Sequence, residues 1–162
     1  MCAGGGGADG SDGAGRPALP VGTPADLARA EDGLRAFLGS LPGAEAERSV
    51  VYVAVLEAVL NAVRHGHPPG RQAPSLALDV TEGAFVATAS DHGPGFAPDA
   101  LPDPLAPERR GLGHGRGLPL MRGLVDDVEI TAPPGGGTRV VLRHPLTASA
   151  PAGAHSAKER PS

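Results

Sequence analysis

Residues 57–65 read Glu57-Ala-Val-Leu-Asn61-Ala-Val-Arg-His65, so an acid, an amide and an imidazole recur every four positions. That repeat sets Glu57, Asn61 and His65 on nearly one face of a helix, while Val55, Leu56, Val59 and Val63 fill the others. Two readings of such a face stay open at this point. It is either a solvated helix surface, or a carboxylate base beside an amide oxygen suited to Mg²⁺.

Working outward, the helix extends from about Ala44 to His65, with Val51, Val55, Val59 and Ala62 as its apolar stripe. Gly66-His67-Pro68-Pro69-Gly70 terminates it. Upstream, Thr23-Pro24-Ala25-Asp26 reads as an N-cap, a first-turn proline and an early acid. Leu27, Leu34, Phe37, Leu38 and Leu41 follow at helical spacing, and Pro42-Gly43 stops this first helix near Leu41.

Downstream, the apolar runs Ser75–Thr81 and Ala84–Ser90 flank Glu82-Gly83 and predict a β-hairpin. A Gly- and Pro-rich loop runs from Asp91 to about Gly117. Leu118–Val125 then fits a short helix, and Asp127–Ala132 and Thr138–His144 fit two more strands. The order α-α-β-β-loop-α-β-β predicts an α/β fold, a two-layer sandwich with helices on one face of a mixed, mainly antiparallel sheet.

Glycine and proline are abundant, with 25 and 18 residues in a chain of 162, and they gather at the ends and in a few loops. Residues 1–19 are mostly Gly, Ala and Asp, and residues 147–162 have a similar character, so both read as disordered tails around a domain of residues 20–146. The aromatics are only Phe37, Tyr52, Phe85 and Phe96, which leaves the core to Val, Leu, Ala and Ile.

The net charge of −4, with no run of Lys or Arg, argues against direct nucleic-acid binding. The sole lysine, Lys158, lies in the C-terminal tail, which excludes a Walker A loop, a protein-kinase strand lysine and a pyridoxal-phosphate Schiff base. The sole cysteine, Cys2, allows neither a disulfide framework nor a thiolate metal site. No apolar run has the length of a membrane span and no signal peptide opens the chain, so the expected compartment is the cytoplasm.

Three further stretches carry chemistry. Asp91-His92-Gly93-Pro94-Gly95-Phe96 follows an apolar strand, and its alternating glycines suit either close approach to a flat ligand or an ordinary tight turn. Gly111-Leu-Gly-His-Gly115-Arg116-Gly117-Leu118 opens into a helix, where free backbone N–H groups form an anion site; a flexible linker is the alternative. Gly135-Gly136-Gly137-Thr138 precedes the last strand, and a hairpin turn explains it as well.

In this order and spacing the four pieces resemble the nucleotide site of the GHKL ATPase superfamily, shared by gyrase-type topoisomerases, mismatch-repair ATPases and sensor histidine kinases. The helix bearing Glu57 and Asn61 is similar to the N box. Asp91-x-Gly93-x-Gly95 resembles the first glycine box, Gly115-x-Gly117 the second, and Gly137-Thr138 the closing threonine motif. Residues 20–145, and the run Gly115-Arg-Gly-Leu-Pro-Leu-Met-Arg-Gly-Leu-Val-Asp-Asp-Val-Glu-Ile above all, look like the bacterial anti-sigma-factor serine/threonine kinases, in particular short ATP-binding regulators of actinobacteria.

The resemblance implies ATP and Mg²⁺ as cofactors. Asp91 would accept from the adenine amino group, with Thr138 helping through water, and Gly93 and Gly95 would admit the base. Asn61 would hold Mg²⁺, with His65 on the same face. The N–H groups of Gly115, Arg116, Gly117 and Leu118 would bind phosphate, and Glu57 would orient and deprotonate the attacking hydroxyl. Family kinases place an arginine shortly before the second glycine box; here Arg110 and Arg116 are the candidates. The implied partners are an anti-sigma-factor antagonist protein, phosphorylated on serine, and a sigma factor. A homodimer stays open, and neither nucleic acid nor membrane is expected. The alternative is a non-catalytic nucleotide-binding module that switches partners.

Overall fold

The computed structural model describes residues 17–66, 68–95 and 117–147. Its elements are β1 (Leu19–Pro20), α1 (Pro24–Gly39), α2 (Glu45–His65), β2 (Ser75–Thr81), β3 (Ala84–Ser90), α3 (Gly117–Leu124), β4 (Asp127–Thr131) and β5 (Arg139–Pro145). The strands form one five-stranded sheet in the order β1-β2-β3-β5-β4. Every pairing is antiparallel, so the expected antiparallel character extends to the whole sheet and no parallel pair occurs among the described residues.

Local chemistry explains the boundaries. Thr23 caps α1 by accepting the Asp26 N–H at 3.1 Å, Pro24 occupies the first turn, and Asp26 pairs with Arg29. The helix closes one residue after Gly39, at Ser40, rather than at Leu41. Ala44 offers α2 no side-chain cap; Glu45 and Glu47 in its first turn and Arg64 and His65 in its last oppose the helix dipole instead. The β2–β3 turn sits on Glu82 and Gly83, at φ 53° and 74°, a two-residue turn whose twist matches that of the strands.

Strand alternation gives each sheet one apolar face. Leu76 and Leu78 of β2, Phe85, Ala87 and Ala89 of β3, and Val140 and Leu142 of β5 are buried. Against them pack Ala30, Leu34, Phe37 and Leu38 of α1 and Val51, Ala54, Val55, Ala58 and Val59 of α2. Phe37 and Phe85 meet at the centre with ring centroids 5.9 Å apart. These helices on one sheet face make the two-layer α/β sandwich. Met121 and Val125 join the same core and carry α3 against α2.

Both expected tail boundaries move. Leu19, assigned to the N-terminal tail by composition, pairs with Leu76 in β1 and packs on the core, and the Val21 N–H extends the contact by donating to Pro74 O at 2.8 Å. Thr147, assigned to the C-terminal tail, donates its hydroxyl to Glu47 Oε2 at 2.7 Å. Two paired residues and one hydroxyl are too little to register as periodicity. No helix among the described residues is long and apolar enough to cross a membrane.

Candidate functional site

The C-terminal half of α2 carries the first side chains of the site. Glu57 and Asn61 are half-buried one turn apart, whereas His65, at the last helical position, has its side chain in solvent. The opening residue of α3 lies against that pair. A side-chain carbon on Gly117 would fall 2.8 Å from Asn61 Nδ2 and 3.4 Å from Glu57 Oε2, so a larger residue here would require the Asn61 side chain to shift. The first turn of α3 therefore starts beside a carboxylate and an amide. Leu118 follows, half-buried, on the same first turn.

Asp91 forms the second half of the site, directly after β3. It is the buried acid among the described residues, at 9% exposure. Its Oδ1 accepts the Gly93 N–H at 2.9 Å and the Thr138 N–H at 3.1 Å. The Asp91 N–H in turn donates to Thr138 O at 2.9 Å. Two backbone donors on one oxygen hold the carboxylate in a fixed orientation, and neither uses Oδ2. Thr138 thus reaches Asp91 through its main chain.

The glycines around Asp91 have a shared physical cause. Carbons added at Gly93 and Gly137 would meet other backbone: His65 O at 2.5 Å in the first case and Asp91 O at 2.0 Å in the second. Gly95, at φ 75°, would meet Gly137 O at 3.1 Å. Chain-on-chain packing leaves no room for a side chain at Gly93 or Gly137. Sequence reasoning also gave Gly66 only a role in ending α2. In the structure a carbon there would sit 2.0 Å from Asp91 Cβ, and Gly66 O accepts the His92 N–H at 3.2 Å. No positive φ marks Gly66, whose φ is −115°, so no local signal could have revealed it.

The structure therefore gathers Glu57, Asn61, Gly117 and Leu118 at the α2–α3 contact, and Asp91, Gly93, Gly95 and Thr138 at the β3–β5 end. The α2 C-terminus joins the two groups through Gly66. Gly115, Arg116 and Arg110 lie outside the described residues. As for the cofactors, one carboxylate and one amide oxygen suit Mg²⁺, which keeps several waters and completes its shell with phosphate oxygens. The described residues contain no cluster of three or more His, Cys, Asp or Glu that would hold a metal without such help. An anchored carboxylate and a helix N-terminus fit a nucleotide's base and phosphates respectively.

Comparison with known proteins agrees with this geometry. A family model described as Histidine kinase-like ATPase domain matches residues 21–144. No curated protein matches the chain. Among solved structures, full-length ShkA in complex with AMPPNP is similar at 20% identity and a TM-score of 0.51, over 82% of this chain and 32% of that one. The histidine kinase AdeS of Acinetobacter baumannii is similar at 16% identity and a TM-score of 0.44, over 61% of this chain and 47% of AdeS. The histidine kinase domain of the E. coli osmosensor EnvZ is similar at 22% identity and a TM-score of 0.42, over 66% and 70%. This chain thus spans less than half of the AdeS and ShkA chains. The ShkA likeness shows the fold, and the family match spans the whole of the site described, from α1 to β5. The chain belongs to the histidine kinase-like ATPase domain family, whose fold is that of an ATP-binding GHKL domain.

Proposed function

We propose that this protein is an ATP-dependent serine/threonine kinase of the anti-sigma-factor type, which phosphorylates a serine on an antagonist protein and sequesters a sigma factor in the cytoplasm. The observation that supports a catalytic reading is the contact of Glu57 and Asn61 with Gly117 at the start of α3. A binding module has no need of a carboxylate one helical turn from a metal-ligating amide, beside the N–H groups that receive phosphate.

In this reading the chain's own groups divide the work. Asp91 Oδ2 accepts from the adenine amino group while Oδ1 stays occupied by Gly93 and Thr138. The first turn of α3, with Gly117 and Leu118, receives phosphate oxygens, and Gly115 and Arg116 precede it in sequence. Asn61 supplies an oxygen to Mg²⁺, which neutralises charge on the phosphates when bound. Glu57 accepts the proton of the attacking serine hydroxyl, so that the oxygen bonds to the terminal phosphorus as its bond to the leaving phosphate breaks. Positioning and charge stabilisation then suffice, and no covalent enzyme intermediate is required.

A second reading, a nucleotide-binding module that switches partners without transfer, draws on the sequence before the second glycine box. There Gly111-Leu-Gly-His separates Arg110 from Gly115. Incubation of the full chain with labelled ATP, Mg²⁺ and antagonist candidates from the same genome separates the two. Label on an antagonist serine is the expected result. ATP and sigma-factor binding without transfer to any candidate would favour the module.

A further inference from the structure

Gly66 occupies a backbone conformation that any residue can adopt, at φ −115° and ψ 15°. Its lack of a side chain therefore answers to space rather than to torsion. A carbon at this position would lie 2.0 Å from Asp91 Cβ and 2.3 Å from Asp91 Cγ, with Ala62 O at 2.6 Å. Distances under 3 Å between such atoms cannot be absorbed when both partners are held. Here both are held: Asp91 by its bonds to Gly93 and Thr138, and Gly66 by donating to Ala62 O at 2.9 Å and accepting from the His92 N–H at 3.2 Å.

The neighbouring glycine makes the same contact from the other side. A carbon on Gly93 would strike His65 O at 2.5 Å and Gly66 Cα at 2.8 Å. The last residues of α2 and the loop after β3 thus touch backbone to backbone, with the Asp91 side chain lying directly over Gly66. Since α2 is one continuous helix from Glu45 to His65, this contact ties Asp91 to the rigid element that carries Glu57 and Asn61.

We infer that Gly66 is a positioning residue for base recognition: it fixes the spacing between the Asp91 carboxylate and the Glu57–Asn61 face, so that one nucleotide spans both. The inference rests on the adenine role proposed for Asp91. The atoms that a methyl group at residue 66 would meet first belong to Asp91 and Ala62, not to Gly117, Asn61 or Glu57. Such a group should therefore damage recognition of the base and spare binding of the phosphates.

The test compares the full-length wild type with Gly66→Ala by calorimetry, using ATP, GTP and inorganic tripolyphosphate, each with Mg²⁺. The expected result is an ATP affinity lower by about tenfold or more and an ATP-over-GTP preference shrunk toward one, as when a charge-assisted hydrogen bond is lost. Tripolyphosphate affinity should stay within about twofold, a split that general loosening of the fold would not produce. If the wild type prefers ATP and Gly66→Ala retains both affinity and preference, the inference is overturned while the function stands. If the wild type itself shows no preference, the base-recognition reading falls and the inference with it. Should Gly66→Ala not fold, Gly66→Ala with Asp91→Gly removes the two nearest obstructing atoms, Asp91 Cβ and Cγ, and leaves Ala62 O in place. Recovery of cooperative unfolding in that pair supports the contact, and its failure to recover overturns it.

Discussion

Asp91 Oδ1 receives the backbone N–H of Thr138 at 3.1 Å, joining the end of β3 to the start of β5 across 47 positions of chain. The carboxylate is thereby pinned on one oxygen, and neither bond occupies the other. Asp91→Asn can keep Oδ1 bonded to Gly93 and Thr138 but presents an amide N–H₂ where the adenine amino group needs an acceptor. The fold should persist, and ATP affinity should fall by about tenfold to a hundredfold, the range for a hydrogen bond to a charged group. Calorimetry with ATP and GTP checks this, and equal affinity of the wild type for the two nucleotides would remove the assignment.

The hairpin was legible in the sequence because two apolar runs flank a two-residue turn at Glu82-Gly83; β2 and β3 run over Ser75–Thr81 and Ala84–Ser90 as that reading requires. Of the site, Glu57 and Asn61 were legible because a four-residue repeat beside an apolar stripe has one geometric consequence. What stayed hidden depends on contacts distant in sequence. β1 is a strand only because Leu76 lies opposite Leu19, and Gly66 is glycine only because Asp91 folds over it from 25 positions away. His65 shared the helical repeat yet is exposed at the last helical position.

Leu19 therefore marks where trimming begins to matter. A chain cut to residues 17–147 retains β1, the Val21–Pro74 hydrogen bond and the Thr147–Glu47 contact. It should unfold at the same denaturant midpoint as the full chain and bind ATP equally well. Cutting further, to 21–144, removes β1 with the partly buried Leu19, and the Thr147–Glu47 contact. That should cost on the order of 1–3 kcal/mol, given about 1.5–3 kcal/mol for a fully buried leucine. Chemical denaturation of the three chains decides it; a loss already present at 17–147 would show that the outer segments pack on the fold.

Glu47 gives the fold an acid-sensitive tie. The Thr147 hydroxyl, and then His144 Nε2 at 3.1 Å from Oε1, hold its carboxyl below the ordinary value of 4.5. His144 Nδ1 also lies 2.7 Å from Asp126 Oδ2. A carboxyl depressed in the folded state binds fewer protons there than in the unfolded chain. Its contribution is thus complete above its ordinary value and is lost as the pH falls through the lower, folded one. Asp26, depressed by Thr23 and Arg29, acts in the same sense. Glu47→Gln should lower stability at neutral pH and flatten the decline that sets in as the pH falls below the ordinary value of 4.5. Denaturant midpoints across that decline, with Asp26 left intact in both proteins, isolate the Glu47 share; parallel curves would refute it.

Glu57 separates catalysis from binding, because it sits one turn before Asn61 and faces Gly117 rather than Asp91. Glu57→Gln preserves length and hydrogen bonding and removes the proton acceptor. Nucleotide affinity should hardly change, since neither the base contact nor the N–H groups of α3 involve that carboxylate. Transfer to an antagonist serine should fall by roughly 10²–10⁴-fold, the usual contribution of a positioned base. Single-turnover transfer from labelled ATP measures the chemical step apart from product release. A variant that binds ATP as tightly as wild type and transfers as fast would place the base elsewhere. Equal inactivity of both proteins toward every antagonist, with ATP and sigma-factor binding intact, would make Glu57 a helix-surface acid and leave the chain a partner-switching module.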